Sequence, residues 1–317
     1  MRGQSMEYEP KFSNKLEDDE ILAQLDQLEK RALPFRIISI GSVVLIVAFV
    51  LSVFLIGPGM LIRGSSMFFL ILFLFLLTAV SSIIYNKRNN ELKQFISEHI
   101  TLNLLKSVFD IEVFDYKRYI PEERIKSIGL LRSWNRCDGN NYVKGRYKGY
   151  SVEFSYVLLE DVSTTTDADG HTQENVTKIF EGPMLFLSHE RTLRAPLILR
   201  ERQFLLNRGG SNIQTENLAF NKQFQIKCED GHTAFLLLTP HFMEFITAMD
   251  EQAHGTTYLY FDSGVVHIAV HNNSKLFTAS ANDARDINLL RSKQNKDISY
   301  LTDILDEIMR NEYLFKS

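Results

Sequence analysis

Charged residues run throughout this chain except in two windows, Ile37–Ile56 and Met67–Tyr85, which contain no Asp, Glu, Lys, Arg or His. A helix rising about 1.5 Å per residue needs about 20 apolar residues to cross a hydrocarbon core of about 30 Å, so both windows predict transmembrane helices. Between them, Gly57-Pro58-Gly59 and the short stretch Met60–Ser66 predict a tight turn, because Pro lacks a backbone donor and Gly permits reversal. A cleaved signal peptide fits poorly: 36 residues precede the first window, no A-x-A site follows it, and a second span comes at once. Lys30, Arg31 and Arg36 before the pair and Lys87, Arg88 and Lys93 after it, against Arg63 alone in the turn, predict that both termini are cytoplasmic. Spans without ionisable side chains make a poor ion or proton path, so the hairpin reads as an anchor in the lipid bilayer. Gly41, Ser42, Ser52 and Ser81-Ser82 are small enough to let it self-associate or meet another membrane protein.

The flanking segments change period. In NKLEDDEILAQLDQLEKRAL, Ile21, Leu22, Leu25, Leu28 and Leu33 recur at near-helical spacing, with acids early and Lys30-Arg31 late, which predicts a short amphipathic helix. It would pack on the protein's own body, seat on a partner, or lie on the bilayer; its acidic half argues against the last. Residues 1–15 predict a disordered tail. After the second span, Leu92, Phe95, Ile96, Ile100, Leu104 and Val108 form a helical stripe continuous with the membrane helix, and Pro121-Glu122-Glu123 starts a further helix that Gly129 ends.

Alternation then replaces helical spacing. Val152, Phe154, Tyr156 and Leu158 share one face of a predicted strand, and Lys148-Gly149 joins it to Tyr142–Tyr147 as a hairpin. The polar run Glu160–Thr177 reads as a link to a strand around Lys178–Leu187, with further strands at Leu197–Leu199, Phe220–Lys227 and Thr233–Leu238. Thr239-Pro240 caps a helix carrying Phe242, Phe245, Ile246 and Met249, TYLYF and VVHIAV flank Asp262-Ser263-Gly264 as a hairpin, and Asp297 opens a last helix. The expected architecture is therefore α+β: a tail and amphipathic helix over 1–36, a two-helix transmembrane hairpin over 37–85 (spans 37–56 and 67–85), a helical stalk over 86–135, and a cytoplasmic domain of mainly antiparallel strands with flanking helices over 136–317.

Composition narrows the function classes. With 35 Lys+Arg, 39 Asp+Glu, a net charge of −4 and 45% hydrophobic residues, the chain is neither disordered nor a strongly basic nucleic-acid binder, and no nucleic-acid partner is expected. Two cysteines, Cys137 and Cys228, make no disulfide framework and no zinc spacing.

The segments RYKGYSVEFSYVLLED, Phe180–Gly182, FNKQFQI, LLLTPHFMEFITAM and LYFDSGVVHIAV occur in an order that resembles the bacterial membrane-protein family called domain of unknown function 3137, over roughly residues 140–280. The resemblance implies a bacterial inner-membrane protein with a cytoplasmic α+β body and no assigned activity. It supplies no catalytic residue, cofactor or metal ligand to carry over, and the loop Val162–Thr177 sits where such proteins are expected to vary.

Direct inspection for chemistry finds no compact motif. His267 and His271 share a strand face about 13 Å apart by strand rise, too far for one metal, and read as core or loop histidines. His232, His241 and His254 surround the Thr239-Pro240 helix and would need to converge with Cys228 to hold a metal. Asp167-Ala168-Asp169-Gly170 begins like a calcium loop, but His171 and Thr172 break the ligand pattern. Arg208-Gly209-Gly210-Ser211 lacks the Lys-Ser/Thr of a phosphate loop, and Ser188-His189-Glu190 is adjacent in sequence only. Arg191, Arg194, Arg200, Arg202 and Arg208 gather as a basic patch diluted by Glu190 and Glu201, facing solvent, an acidic partner or an anionic leaflet. The leading expectation is thus a membrane-anchored binding or accessory module with a protein partner or self-association and no cofactor. The alternative is a membrane-tethered hydrolase or metal-dependent enzyme with a non-local site, for which Cys228, His232, His241 and Asp262 are the candidates.

Overall fold

The computed structural model describes residues 15–56, 65–166, 172–202, 212–253, 255–278 and 286–315. The chain divides into two compact units, one of residues 1–100 with 279–291, the other of residues 101–278 with 292–317.

The first unit is dominated by two helices, α1 (Lys15–Ile56) and α2 (Ser65–Ile96), both long and apolar enough to cross a membrane. The expected short amphipathic helix and first span are one element: α1 runs straight through Pro34, at the loss of one helical hydrogen bond. The two helices meet through small polar side chains. Ser39 Oγ lies 2.9 Å from Ser82 Oγ, Thr78 Oγ1 lies 2.7 Å from Ser42 Oγ, and Ser42 donates to the Ser39 carbonyl at 2.9 Å. Ser42 and Ser81 are buried in this seam, so residues expected to serve self-association are used within the hairpin instead. Gly41 faces away, with open space where a Cβ would stand. The turn expected at 57–64 lies outside the described residues, as does the tail at 1–14.

The amphipathic stretch is not a vacant docking face. Ile21 and Leu25 are buried, and Asp18 receives a two-pronged bond from Arg291, at 2.5 and 2.9 Å. Both groups are largely shielded from water, where a charge-assisted pair is worth roughly 1.5–3 kcal/mol. Arg291→Ala is expected to lower the thermal midpoint accordingly, and the Asp18→Ala, Arg291→Ala double variant to cost little more than the single; additive losses would show that the pair is not coupled.

A π turn (Ser97–Thr101) ends the first unit, and the second opens with α3 (Leu102–Lys106), followed by β1 (Asp110–Asp115) and α4 (Glu122–Ile128). The segment expected as a helical stalk is therefore helical only in part, because β1 pairs with β2 (Arg136–Tyr147) and joins the sheet. Then come β3 (Tyr150–Thr166), β4 (Thr172–Ser188), β5 (Leu197–Glu201), α5 (Leu218–Gln223), β6 (Phe224–Cys228), α6 (Gly231–Leu237), α7 (Pro240–Ala253), β7 (Thr256–Asp262), β8 (Val265–His271), α8 (Ile287–Met309) and α9 (Glu312–Phe315). Eight strands form one antiparallel sheet in the order β1-β2-β3-β4-β8-β7-β5-β6. The α+β expectation is borne out, with helices on both sheet faces. One face buries Phe154, Leu185, Leu199, Leu259 and Phe261 against Phe242 and Ile246 of α7 and Leu301 and Leu305 of α8. The other buries Val157, Phe180 and Phe186 against Ile120 and Ile125 beside α4.

Several hairpins and starts form where the pattern puts them. Lys148 and Gly149, both at positive φ, turn β2 into β3 with Tyr147 opposite Tyr150, and Gly264 turns β7 into β8. Four expectations are overturned. Within the polar run Glu160–Thr177, residues 160–166 and 172–177 are strand rather than link: β3 and β4 stay paired out to Thr166 opposite Thr172, since exposed β-branched residues hold a ladder without burying a face. Thr233–Leu238 is not a strand, because Asp230 accepts from Thr233 N at 2.9 Å and starts α6. The first half of Phe220–Lys227 is helical for the same reason, with Asn217 accepting from Phe220 N at 3.0 Å. The helix expected to open at Asp297 is α8, which opens at Asp286, whose carboxylate caps Asn288 N and Leu289 N, while Asp297 lies inside it and accepts from Phe277 N at 2.7 Å.

Candidate binding site

A cavity lies where α6, α7, α8 and α9 meet in the second unit. Thr239 caps α7 by accepting from Phe242 N at 3.3 Å, and the amphipathic spacing turns Phe242, Met243 and Ile246 to the core. At the opposite wall Asn311 breaks the chain after α8. Its side chain donates to the Leu237 carbonyl at 3.0 Å and accepts from Leu314 N at 3.2 Å, tying α6 to α9. The space left measures about 330 Å³ and is lined by Leu236, Thr239, His241, Phe242, Phe245, Glu307, Arg310, Asn311, Glu312 and Tyr313. That volume is at the lower end for a small-molecule site, roughly 300–1,000 Å³. Its wall is aromatic and its rim charged, with Arg310 paired to Glu307 at 2.7 Å. Phe235 on α6, next to Leu236, is 55% exposed.

Of the residues named as enzyme candidates, only His241 reaches this cavity. Cys228 is buried, its thiol 3.1 Å from the Asp230 carbonyl, and burial raises its pKa, which leaves it a poor nucleophile. Leu197 pairs with Cys228 on one side and Phe261 on the other, so Cys228 stands two strand spacings, about 9–10 Å, from the β7 end that carries Asp262. His232 sits on α6, and His254 lies outside the described residues. Among the described residues no three His, Cys, Asp or Glu side chains are grouped to hold a metal ion.

His267 is a core histidine. It packs edge-on to Phe186 and Tyr260, and burial, aided by Arg124, pushes its pKa down to about 3. The apolar void beside it, about 10 Å³, is at the lower limit for one water. His271 instead accepts a hydrogen bond from Glu181 N at 2.8 Å. Cys137 is half-buried beside Tyr119, and burial raises its pKa to about 11. Two members of the expected basic patch are engaged with backbone. Arg200 reaches the Gly129 carbonyl at 2.9 Å, Arg202 bonds the carbonyls of Asn221 and Phe224, and 208–211 lie outside the described residues, as does the calcium-like start at 167–171.

The tertiary structure adds a buried polar group that motif reading left as mere pattern, around Phe180–Gly182. Glu181 accepts from Tyr156 Oη at 2.7 Å and from Lys178, with Lys275 at 4.0 Å. Burial pushes this carboxyl up, but Lys178 and Tyr156 outweigh it and leave the pKa below the usual value; Tyr156 is raised by burial and by the same carboxylate. The Glu181 carbonyl accepts from Asn272 N and Asn273 N, at 3.2 and 3.0 Å. Every arm of Glu181 is thus engaged, which makes it a structural pin between β3, β4 and the end of β8 rather than a vacant site.

Comparison with known proteins adds little about chemistry. No curated protein matches the chain. Among solved structures, the mycobacterial trehalose monomycolate transport factor A is 13% identical, with 62% of this chain and 88% of that chain covered, at a TM-score of 0.31; a likeness that low carries no argument about function. The family match begins in β4 and ends at α8, so RYKGYSVEFSYVLLED falls before it. Within those bounds the resemblance is borne out: residues 178–310 match the family described as protein of unknown function, DUF3137.

Proposed function

We propose that this protein is a binding module held in a bacterial inner membrane by α1 and α2, with both termini cytoplasmic and its occupant seated in the cavity between α6 and α9. One observation carries the anchoring. The outward faces of α1 and α2 are apolar and uncovered, with Ile37, Val44 and Ile83 about 60–70% exposed, while their hydroxyls pair inward. Water does not tolerate that surface, whereas hydrocarbon does. The flanking Lys30, Arg31, Arg36, Lys87, Arg88 and Lys93 support the orientation. The aromatic lining with a few polar groups at its edge supports binding.

Gentle extraction of the full-length chain followed by native mass spectrometry is expected to retain a bound small molecule or protein segment. Leu236→Trp, which narrows the cavity, is expected to release it at least tenfold more readily. A chain that comes off the membrane empty, or an occupant indifferent to Leu236→Trp, would remove the cavity from this reading.

A further inference from the structure

Strands β5 and β7 run antiparallel with Leu199 opposite Leu259 and Arg200 opposite Tyr258, so the next step sets Glu201 beside Thr257. Alternation turns both toward the face that buries Leu197, Leu199, Leu259 and Phe261 under α7 and α8. On its other side Glu201 lies opposite Phe224 of β6, and the adjoining Gln223 donates to Asp250 Oδ2 at 2.8 Å, which brings the last turn of α7 over Glu201; Asp250 is 6% exposed and its Oδ1 has no hydrogen-bond partner. Glu201 Oε2 and Tyr300 Oη of α8 are equally shut off from solvent and equally without a partner, while Thr257 stands by both carboxyls, its N–H favouring the charged form of each and its hydroxyl that of Asp250. Neither carboxyl forms an ion pair among the described residues. On β5 and beyond it, Arg200 and Arg202 are turned to backbone carbonyls. The other ionisable groups acting here are Glu251 of α7, which adds negative charge, and Tyr258 of β7 and Tyr300 of α8, which burial keeps neutral.

A buried carboxylate and a half-buried one, neither in an ion pair among the described residues, are costly side by side, and one proton between them removes a charge while supplying a donor. We propose that Glu201 and Asp250 share one proton, and that this proton latches the last turn of α7 onto strands β5 and β7. Burial, reinforced by Asp250, holds Glu201 up at about 7, and burial raises Asp250 as well. The closed state therefore keeps a proton that the opened state has released. The latch is complete at acid pH and is lost as the pH climbs from the ordinary carboxylate range to neutrality.

Hydrogen exchange of the full-length chain in lipid nanodiscs tests this, read at the amides of residues 246–253 and corrected for intrinsic exchange. Opening is expected to rise about tenfold per pH unit between about pH 5 and 7 and to level off above. Glu201→Gln, which donates without titrating, is expected to flatten that rise. Infrared spectra of the unsubstituted chain near pH 6 are expected to contain a buried protonated-carboxyl band that Glu201→Gln removes. A flat profile in the unsubstituted chain, an equal slope in Glu201→Gln, or the absence of that band overturns the proposal. Should Glu201→Gln fail to fold, Asp250→Asn serves in both comparisons.

Discussion

Gly182→Ala is expected to destabilise the second unit by about 3 kcal/mol, the upper part of the range for overpacked sites. A Cβ at Gly182 would stand 2.0 Å from the Val270 carbonyl oxygen and 3.0 Å from Asn272 Oδ1. The first of these is backbone and cannot swing aside, so β4 and β8 must part just where Glu181 holds them together through His271, Asn272 and Asn273. For a unit of this size that loss corresponds to roughly 6–12 °C in thermal midpoint. Gly41→Ala is the control: nothing stands within 4 Å of its added Cβ, and alanine favours the helix. Equal midpoints for Gly182→Ala and the unsubstituted chain would show that β4 and β8 have more room than the structure gives them.

The second large effect concerns the first span. Fifteen Ile, Val, Leu and Phe residues lie within Ile37–Ile56, and together they favour insertion by roughly 5–9 kcal/mol, against about 2.5–3.5 kcal/mol lost for each central arginine. Val44→Arg alone is therefore expected to leave the hairpin inserted. Val44→Arg with Val47→Arg, both on the outward face, brings the cost to about 5–7 kcal/mol while removing two favourable valines, and is expected to bring insertion of α1 near balance, so that a large share of chains leaves α1 outside the bilayer. With α2 then crossing alone, reporters at the two termini are expected to fall on opposite sides of the membrane, or the chain to become extractable by alkali. Two cytoplasmic reporters and full resistance to extraction in the double variant would mean that insertion does not depend on the apolar outward face of α1.

Legibility in the sequence followed the range of the forces involved. The two apolar windows, the cap at Thr239-Pro240 and the hairpins at Lys148-Gly149 and Ser263-Gly264 were readable because local spacing and turn chemistry decide them. Short apolar runs misled, since LLL and FNKQF suit strand and helix alike until Asp230 or Asn217 supplies a cap. The long polar arms of β3 and β4 were missed because their ladder depends on a partner strand, not on a buried face. Of the candidate chemistry, His241 was named from sequence and does line a cavity, but Leu236, Glu307 and Tyr313 come to it from three other helices that no spacing connects.

What the sequence by itself determined is the class of the molecule: two helices able to cross a membrane, an α+β body, and the absence of any compact catalytic motif, all of which rest on composition and on neighbours within about one helical turn. Tertiary structure alone decided that Ser42 and Thr78 close the hairpin from within, that Glu181 is a satisfied pin, and that Glu201 and Asp250 each keep a shielded carboxyl oxygen without a partner. The physical reason is common to all three. Hydrogen bonding and burial of a polar group depend on atoms brought from distant parts of the chain, and only the assembled sheet and helices set which of those atoms lie within reach.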